Sequence, residues 1–373
     1  MTLCGMSSCC VVRVRVSLFS CGAFRELAEV PKSTKDRSVL VAIERAMFTR
    51  QAVLPIVVPG SAPLYLPSNL SSSSNSRLCY VNKSTDVVVV YRGDITHTLK
   101  INFSVILQAK YIPSPRDSSI LVVSTCSGVQ FYSENGEYLV FFYPSSQLLD
   151  SLSSSSSSGG YGVVPDYCEC TCVASSRDAV YVGTSLGPVL VFNLISEEEI
   201  SYNKYIDVGS SEKCHISAVA CDDDEIFCGT ENGAIHSVSA SNCSNQGRIA
   251  TGQGFSVLQL IAKNSMLIAG FADGHVRIYN SSSRDIVYEI SAHSKMISGI
   301  AASFDQGYFA TCSDDHYVRV WGLPNLNGPG KHIKLLQSER VDNRLLTGLA
   351  LLPNGDLCAS SYDDDDIAVL KRL

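Results

Sequence analysis

Residues Ala292–Trp321 read AHSKMISGIAASFDQGYFATCSDDHYVRVW, and their spacing decides the fold. Met296–Ala302 is a short apolar run, Gly307–Cys312 is a second one after a polar turn, and Tyr317–Trp321 alternates as a third. Short runs of this kind bounded by turn residues predict antiparallel strands. Ser313-Asp314-Asp315-His316 is the tight turn between the last two. With His332–Leu336 added as a fourth strand, the stretch reads as one four-stranded blade of a propeller.

Four residue types hold set places here: a His before the first strand, a hydroxyl on the second, an Asp in the turn and a Trp ending the third. The pattern resembles a WD repeat. The resemblance implies that Asp315 accepts from His293, whose other ring nitrogen meets a hydroxyl, Thr311 or Ser313, which faces the indole N–H of Trp321. His293, Thr311, Asp315 and Trp321 are the resulting tetrad. The chain's one tryptophan occupies the most specific position. Buried polar groups must be paired, so a closed network of this kind holds a single blade geometry. His and Asp also suit acid–base chemistry, but this spacing favours a structural role.

A chain of 373 residues with 45% hydrophobic content can bury one large core or two smaller ones. The net charge of −7 provides no basic field, so no nucleic-acid partner is expected. Fifteen cysteines are many, yet they are odd in number and spread among strand-forming residues, which suits reduced thiols in a cytoplasmic protein. No apolar run reaches membrane-spanning length, so no transmembrane segment is expected, and Arg13 and Arg15 interrupt what would be a signal peptide's apolar segment.

Residues 1–50 differ in pattern from the rest of the chain and read as an extension, disordered or partly helical, with Val39, Leu40, Ile43 and Met47 spaced for a short helix over Ser38–Phe48. Residues 51–373 read as the propeller. Blade one is expected from Leu64–Leu66, Leu78–Val81, Val87–Tyr91 and Ile95–Ile101; blade two from Phe103–Tyr111, Ser119–Ser124, Val129–Tyr132 and Tyr138–Phe142. The serine-rich stretch 147–163 reads as a flexible loop. Blades three, four and five start from Cys168, His215 and Phe255, each with a glycine closing its central turn, where a positive φ is needed. Blade seven comprises Leu346–Leu351, Asp356–Ala359 and Ile367–Leu370 and lacks an outer strand, a place that Ala52–Val58 can fill, closing the ring. The count is seven; six or eight are the alternatives, because the first two blades are degenerate.

Three phrases carry a narrower resemblance: PGSAPLYLPSNLS at Pro59–Ser71, ILVVSTCSGVQFYSENGEYLVFF at Ile120–Phe142, and VLQLIAKNSMLIAGFADGHVRIYNSSSRDIVYEISAHSKMISGI at Val257–Ile300. Over Leu54–Leu373 the chain resembles the WD repeat-containing protein 54 family. That resemblance implies a cytoplasmic, vesicle-associated interaction scaffold without catalytic residues, linked to growth-factor signalling. It transfers no functional residue. Tyr279, Val238, Phe192 and Tyr132 stand where Trp would, keeping its packing and dropping its hydrogen bond.

Other candidates resolve against chemistry. Cys168, Cys170 and Cys172 alternate, which at period two puts them on one strand face and favours buried thiols over zinc. The runs Asp222–Glu225 and Asp363–Asp366 lack the glycine and spacing of a calcium loop. Gly183-Thr184-Ser185-Leu186-Gly187 matches G-x-S-x-G, but Pro188 and VLVF come next, so a hairpin is expected instead of a nucleophile elbow. His236, His275 and His316 are expected to face solvent or neighbouring strands. Inner-strand positions read as mainly apolar or small, which leaves no converging polar set for a propeller enzyme; no cofactor or metal is expected.

Loops joining each outer strand to the next inner strand share a face with the central turns, and there Lys213, His215, Gln253, Ser294 and Lys295 are the candidate partner-binding rim, with Asp363–Asp366 in the same broad set. The expected function is a non-catalytic scaffold whose partners are proteins or peptides, with peripheral vesicle association. The alternatives are a structural subunit of a coat or transport complex and, from another class, a propeller hydrolase.

Overall fold

A computed structural model describes residues 12–14, 47–55, 61–92, 95–101, 104–155, 167–208, 214–324, 326, 333–341 and 343–373. Seven sheets of four antiparallel strands, one of them with a fifth, parallel strand on its outer edge, stand in a ring, and each inner strand touches the inner strand of the next sheet. The inner strands are Ser71–Ser72, Ile106–Pro113, Cys170–Ser175, Ile216–Asp222, Val257–Lys263, Ile297–Ser303 and Leu346–Leu351. This is the expected seven-bladed propeller.

Each blade buries both faces against its neighbours, so the core is divided among the blade interfaces. Ile112, Val129 and Phe131 of blade two pack with Cys170, Val180 and Phe192 of blade three, and Tyr308 and Val320 of blade six pack with Leu349 and Leu370 of blade seven. Second strands are therefore buried end to end, as Ser119–Thr125 shows. Gly229 shows how closely the blades approach: a Cβ there would lie 2.6 Å from Val257 Cγ1 on the next inner strand.

The ring closes where expected. Phe48–Pro55 pairs antiparallel with Asp366–Arg372 and completes blade seven. The strand begins three residues ahead of the expected boundary at 51, because Phe48 is buried edge-on against Tyr308. Its N–H donates to Gln337 Oε1 and its carbonyl accepts from Gln337 Nε2, both at 2.8 Å. Val12–Val14 runs parallel to Asp285–Ser291 on the outer edge of blade five. The rest of the extension up to residue 46 lies outside the described residues, and with it nearly all of the expected helix over Ser38–Phe48.

Three local expectations are corrected. Leu64–Leu66 is not the inner strand of blade one; Ser71–Ser72 is. Pro63 and Pro67 bracket the segment and have no N–H for a ladder. Asn69 stands in for a strand instead: its Oδ1 accepts from Val81 N at 2.7 Å and its Nδ2 donates to Val81 O at 2.8 Å. The serine-rich stretch 147–163 begins as part of a helix, Ser145–Ser155. Leu148 and Leu152, one turn apart, are buried in the interface between blades two and three. Ser151, Ser153 and Ser154 bond back to the carbonyls four residues earlier, at 2.7–2.8 Å, so their hydroxyls are satisfied within the helix.

Third, the alternating cysteines do not share a face. The register slips between Cys170 and Cys172. Cys168 and Cys170 consequently face blade two, while Cys172 faces blade four. The same slip recurs near the start of the inner strands of blades two, four, five, six and seven. A bulge adds one residue and flips the period.

Candidate functional site

The second and third strands of blade six pair with Thr311 opposite Arg319 and Phe309 opposite Trp321. That register sets a hydroxyl, a guanidinium and an indole beside one another. His293 enters from the connection after Asp285–Ser291, its N–H held by Gly274 O of the preceding blade at 3.0 Å. His293 Nδ1 lies 2.9 Å from Asp315 Oδ1 and Nε2 lies 2.8 Å from Thr311 Oγ1, while Trp321 Nε1 donates to Thr311 Oγ1 at 3.1 Å. Asp315 can only accept, so Nδ1 carries the ring proton, Nε2 accepts from Thr311, and Thr311 accepts from Trp321. Of the two candidate hydroxyls, Thr311 makes this bond; Ser313 Oγ accepts from Asp315 N at 3.2 Å.

Arg319 is the member that sequence reading misses. Its Nη1 donates to Asp315 Oδ2 at 2.9 Å and to Ala292 O at 3.0 Å, and its guanidinium stacks over Tyr317, 4.5 Å from the ring centre. A lone charge on the apolar strand Tyr317–Gly322 is the available signal. Burial holds His293 below its ordinary pKa, with the Arg319 charge adding to the effect. For Asp315 burial acts upward, but the bonds and charges of His293 and Arg319 outweigh it and hold the carboxyl well below the usual range. A neutral imidazole wedged between an ionised carboxylate and a hydroxyl has no open edge for a substrate. Blade five carries a partial copy: Arg277 lies 3.6 Å from Asp273 and 3.2 Å from Glu289, and stacks over Phe271 at 4.2 Å.

The rim candidates are dispersed. Lys213 lies outside the described residues. His215 sits 3.8 Å from Glu231, Gln253 accepts from Arg277 Nη2 at 3.1 Å, and Ser294 donates its N–H to Asp315 at 3.1 Å. Ser294 and Lys295 are exposed in the next connection along the ring. The acidic turn is clamped from within, Arg344 pairing with Asp364 at 2.8 Å and with Asp366.

More apolar surface lies on this face than the sequence suggests. Tyr65, Val105, Tyr167 and Phe255 are exposed in connections between blades, and Tyr362 is exposed in the central turn of blade seven. Tyr65 and Tyr362 meet edge to face at 5.9 Å, and Tyr65 Oη donates to Asp314.

The residues that line a central cavity of about 50 Å³ are mainly apolar or small, as the sequence predicts, and Gln108, Lys110 and Gln259 are the exceptions among them. The polar residues also join blade to blade: Gln108 Oε1 accepts from Val173 N at 2.9 Å, Ser217 Oγ donates to Val257 O at 2.7 Å, and Gln259 Nε2 donates to Ile300 O at 3.0 Å. Polar residues in isolated strands find their partners only when the next blade is present.

Gly183–Gly187 forms a strand–turn–strand hairpin, and Ser185 Oγ accepts from Glu169 N at 3.0 Å. His236 is buried on its strand, His275 Nε2 meets Ser291 Oγ at 3.1 Å, and His316 Nδ1 meets Arg344 O at 2.6 Å. Asp224 of the other acidic run accepts from Ser239 and Ser241. Among the described residues no group of three or more His, Cys, Asp or Glu is placed to hold a metal ion, and no helix is long and apolar enough to cross a membrane.

A chain in the crystal structure of a mitotic checkpoint complex shares this fold, with a TM-score of 0.67 at 15% identity over 97% of this chain and 99% of that one. The human DDB1- and CUL4-associated factor 13 is 35% identical over 68 residues, 18% of this chain and 15% of its own. WD repeat-containing protein 54 of Mus musculus is 25% identical over 217 residues, covering 55% of this chain and 59% of that protein's length. The match thus spans less than two thirds of that curated relative. The WDR54 family model matches residues 100–363, most of the propeller, and the chain belongs to the WDR54 family.

Proposed function

We propose that this propeller is a non-catalytic protein-interaction scaffold that binds protein segments on the face carrying its inter-blade connections. The observation that supports this most is the distribution of exposed apolar side chains: Tyr65, Val105, Tyr167, Phe255 and Tyr362 all belong to that face by strand order. Aromatic side chains left in water on a rigid surface mark contact sites, because they bury large area at little entropic cost. Blades that support one another's connections hold the loops in place. The central turns do so through bonds such as Glu231 N to His215 O at 3.1 Å and Gly254 N to Asn232 O at 2.9 Å.

One relative is named for its association with DDB1 and CUL4, which is in keeping with a role in assemblies. A cytoplasmic location, vesicle association and a place in growth-factor signalling rest on the family resemblance. Tagging the full chain and following it with vesicle markers tests that part.

The scaffold reading is tested by affinity capture with quantitative mass spectrometry. Tyr65→Ala, Phe255→Ala and Tyr362→Ala combined should lose the discrete partners of the wild-type chain. Tyr138→Ala with Ile195→Ala, exposed on the opposite side of the ring, should retain them. The reverse pattern would move the binding face, and turnover of a substrate by the unmodified chain would end the non-catalytic reading.

A further inference from the structure

We propose that the central channel contains a binding site for a small inorganic anion, held at Lys110. Lys110 stands on the inner strand Ile106–Pro113 and lines the cavity of about 50 Å³ at the centre of the ring. Its Nζ donates to one carbonyl, Val173 O at 2.8 Å, and among the described residues it has no carboxylate partner. Two of its three N–H groups are left over.

The rest of the lining matches a negative guest. Gln108 uses its Oε1 on Val173 N, so its Nε2 remains as a donor. Ser71 Oγ accepts from Tyr111 N at 3.0 Å and keeps its own proton to give, and the hydroxyl of Ser68 borders the same space. Among the described residues no Asp or Glu lines the cavity. Residues carrying ammonium, amide and hydroxyl donors therefore line one cavity that, among the described residues, lacks a counter-charge.

The nearest titratable groups do not provide that charge. Cys172 and Cys221 are the groups whose charges act on Lys110, and burial pushes both thiols up to about 11, so they are neutral near pH 7. Burial likewise presses Lys110 below its ordinary pKa. Lys110 is half-buried, and a cation held partly out of water without a carboxylate to balance it either gives up its proton or takes an anion. The void is several times the roughly 10–15 Å³ that one water needs, which suits an ion of chloride or nitrate size.

The full chain tests this by thermal unfolding at constant ionic strength, with chloride or nitrate replacing gluconate, which is too bulky for the cavity. The wild-type Tm should rise by about 2 °C on saturation, and Lys110→Met should show no such rise. Equal rises in both proteins would mean a general salt effect and would overturn the site, as would no rise in either. Should the variant fail to fold, wild-type crystals soaked in bromide provide the second measurement. An anomalous peak within hydrogen-bond distance of Lys110 Nζ is expected, and a channel without one refutes the assignment. The rim can fail as a binding face without touching this result.

Discussion

Arg319 reaches back four residues to Asp315, Nη1 to Oδ2 at 2.9 Å, and brings a cationic donor to a carboxylate already bonded to the neutral ring of His293. Both side chains are almost wholly buried. The blade-six network is therefore a five-membered cluster in which Asp315 joins His293 to Arg319 and Thr311 joins His293 to Trp321.

Asp315→Ala should accordingly cost about 3 kcal/mol, because it strands the Arg319 charge as well as His293 in a dry setting. Urea denaturation at pH 7 measures it. An unchanged midpoint would show that the cluster does not hold the blade.

Stability should fall as the solution is acidified, in two windows. His293 is held below 6.5 in the fold, so the unfolded chain takes up its proton first, and its contribution is lost as pH falls from about 6.5 toward the folded value. Asp315 is held below 3.8, so its contribution is complete above that pH and is lost as pH falls through its lowered folded value. The slope from one group is at most roughly 1.4 kcal/mol per pH unit. His293→Gln should flatten the upper window in denaturation series at pH 7, 6 and 5, and an identical slope in the variant would contradict the assignment.

Gly229→Ala should destabilise by about 1–3 kcal/mol through overpacking at the interface of blades four and five. The added Cβ would lie 2.7 Å from Val257 Cβ, an atom fixed to the backbone. Gly307→Ala meets nothing within 4 Å and carries only the strain of its φ of +74°, about 1 kcal/mol. Calorimetry of the two variants should rank them in that order.

Phe48→Ala should cost about 3–5 kcal/mol and loosen ring closure, since Phe48 is buried in the interface of blades six and seven. Hydrogen exchange should then accelerate in Asp366–Arg372, its pairing partner, before it does so in blade three. A fragment starting at Arg50 removes the same anchor and should share the defect.

The sequence by itself determined the blade plan and the tetrad, because both are written at short range. Thr311, Asp315 and Trp321 lie in one hairpin. Hairpins need turn residues at particular offsets, which any reader of the chain can count. The recurring slip that separates Cys170 from Cys172 leaves no such mark, since a bulge depends on what the neighbouring strand and blade demand. Leu148 and Leu152 are hidden among serines because their apolar partners belong to blades on either side. Only the tertiary structure decided the channel: Lys110 in its strand is one cation among apolar residues, and five blades must meet around it before it lines a cavity. Ring closure likewise joins Phe48 to Arg372 across nearly the whole chain. Pairings at that separation are selected by the burial of both faces of every blade, a property of the assembled ring and not of any one segment.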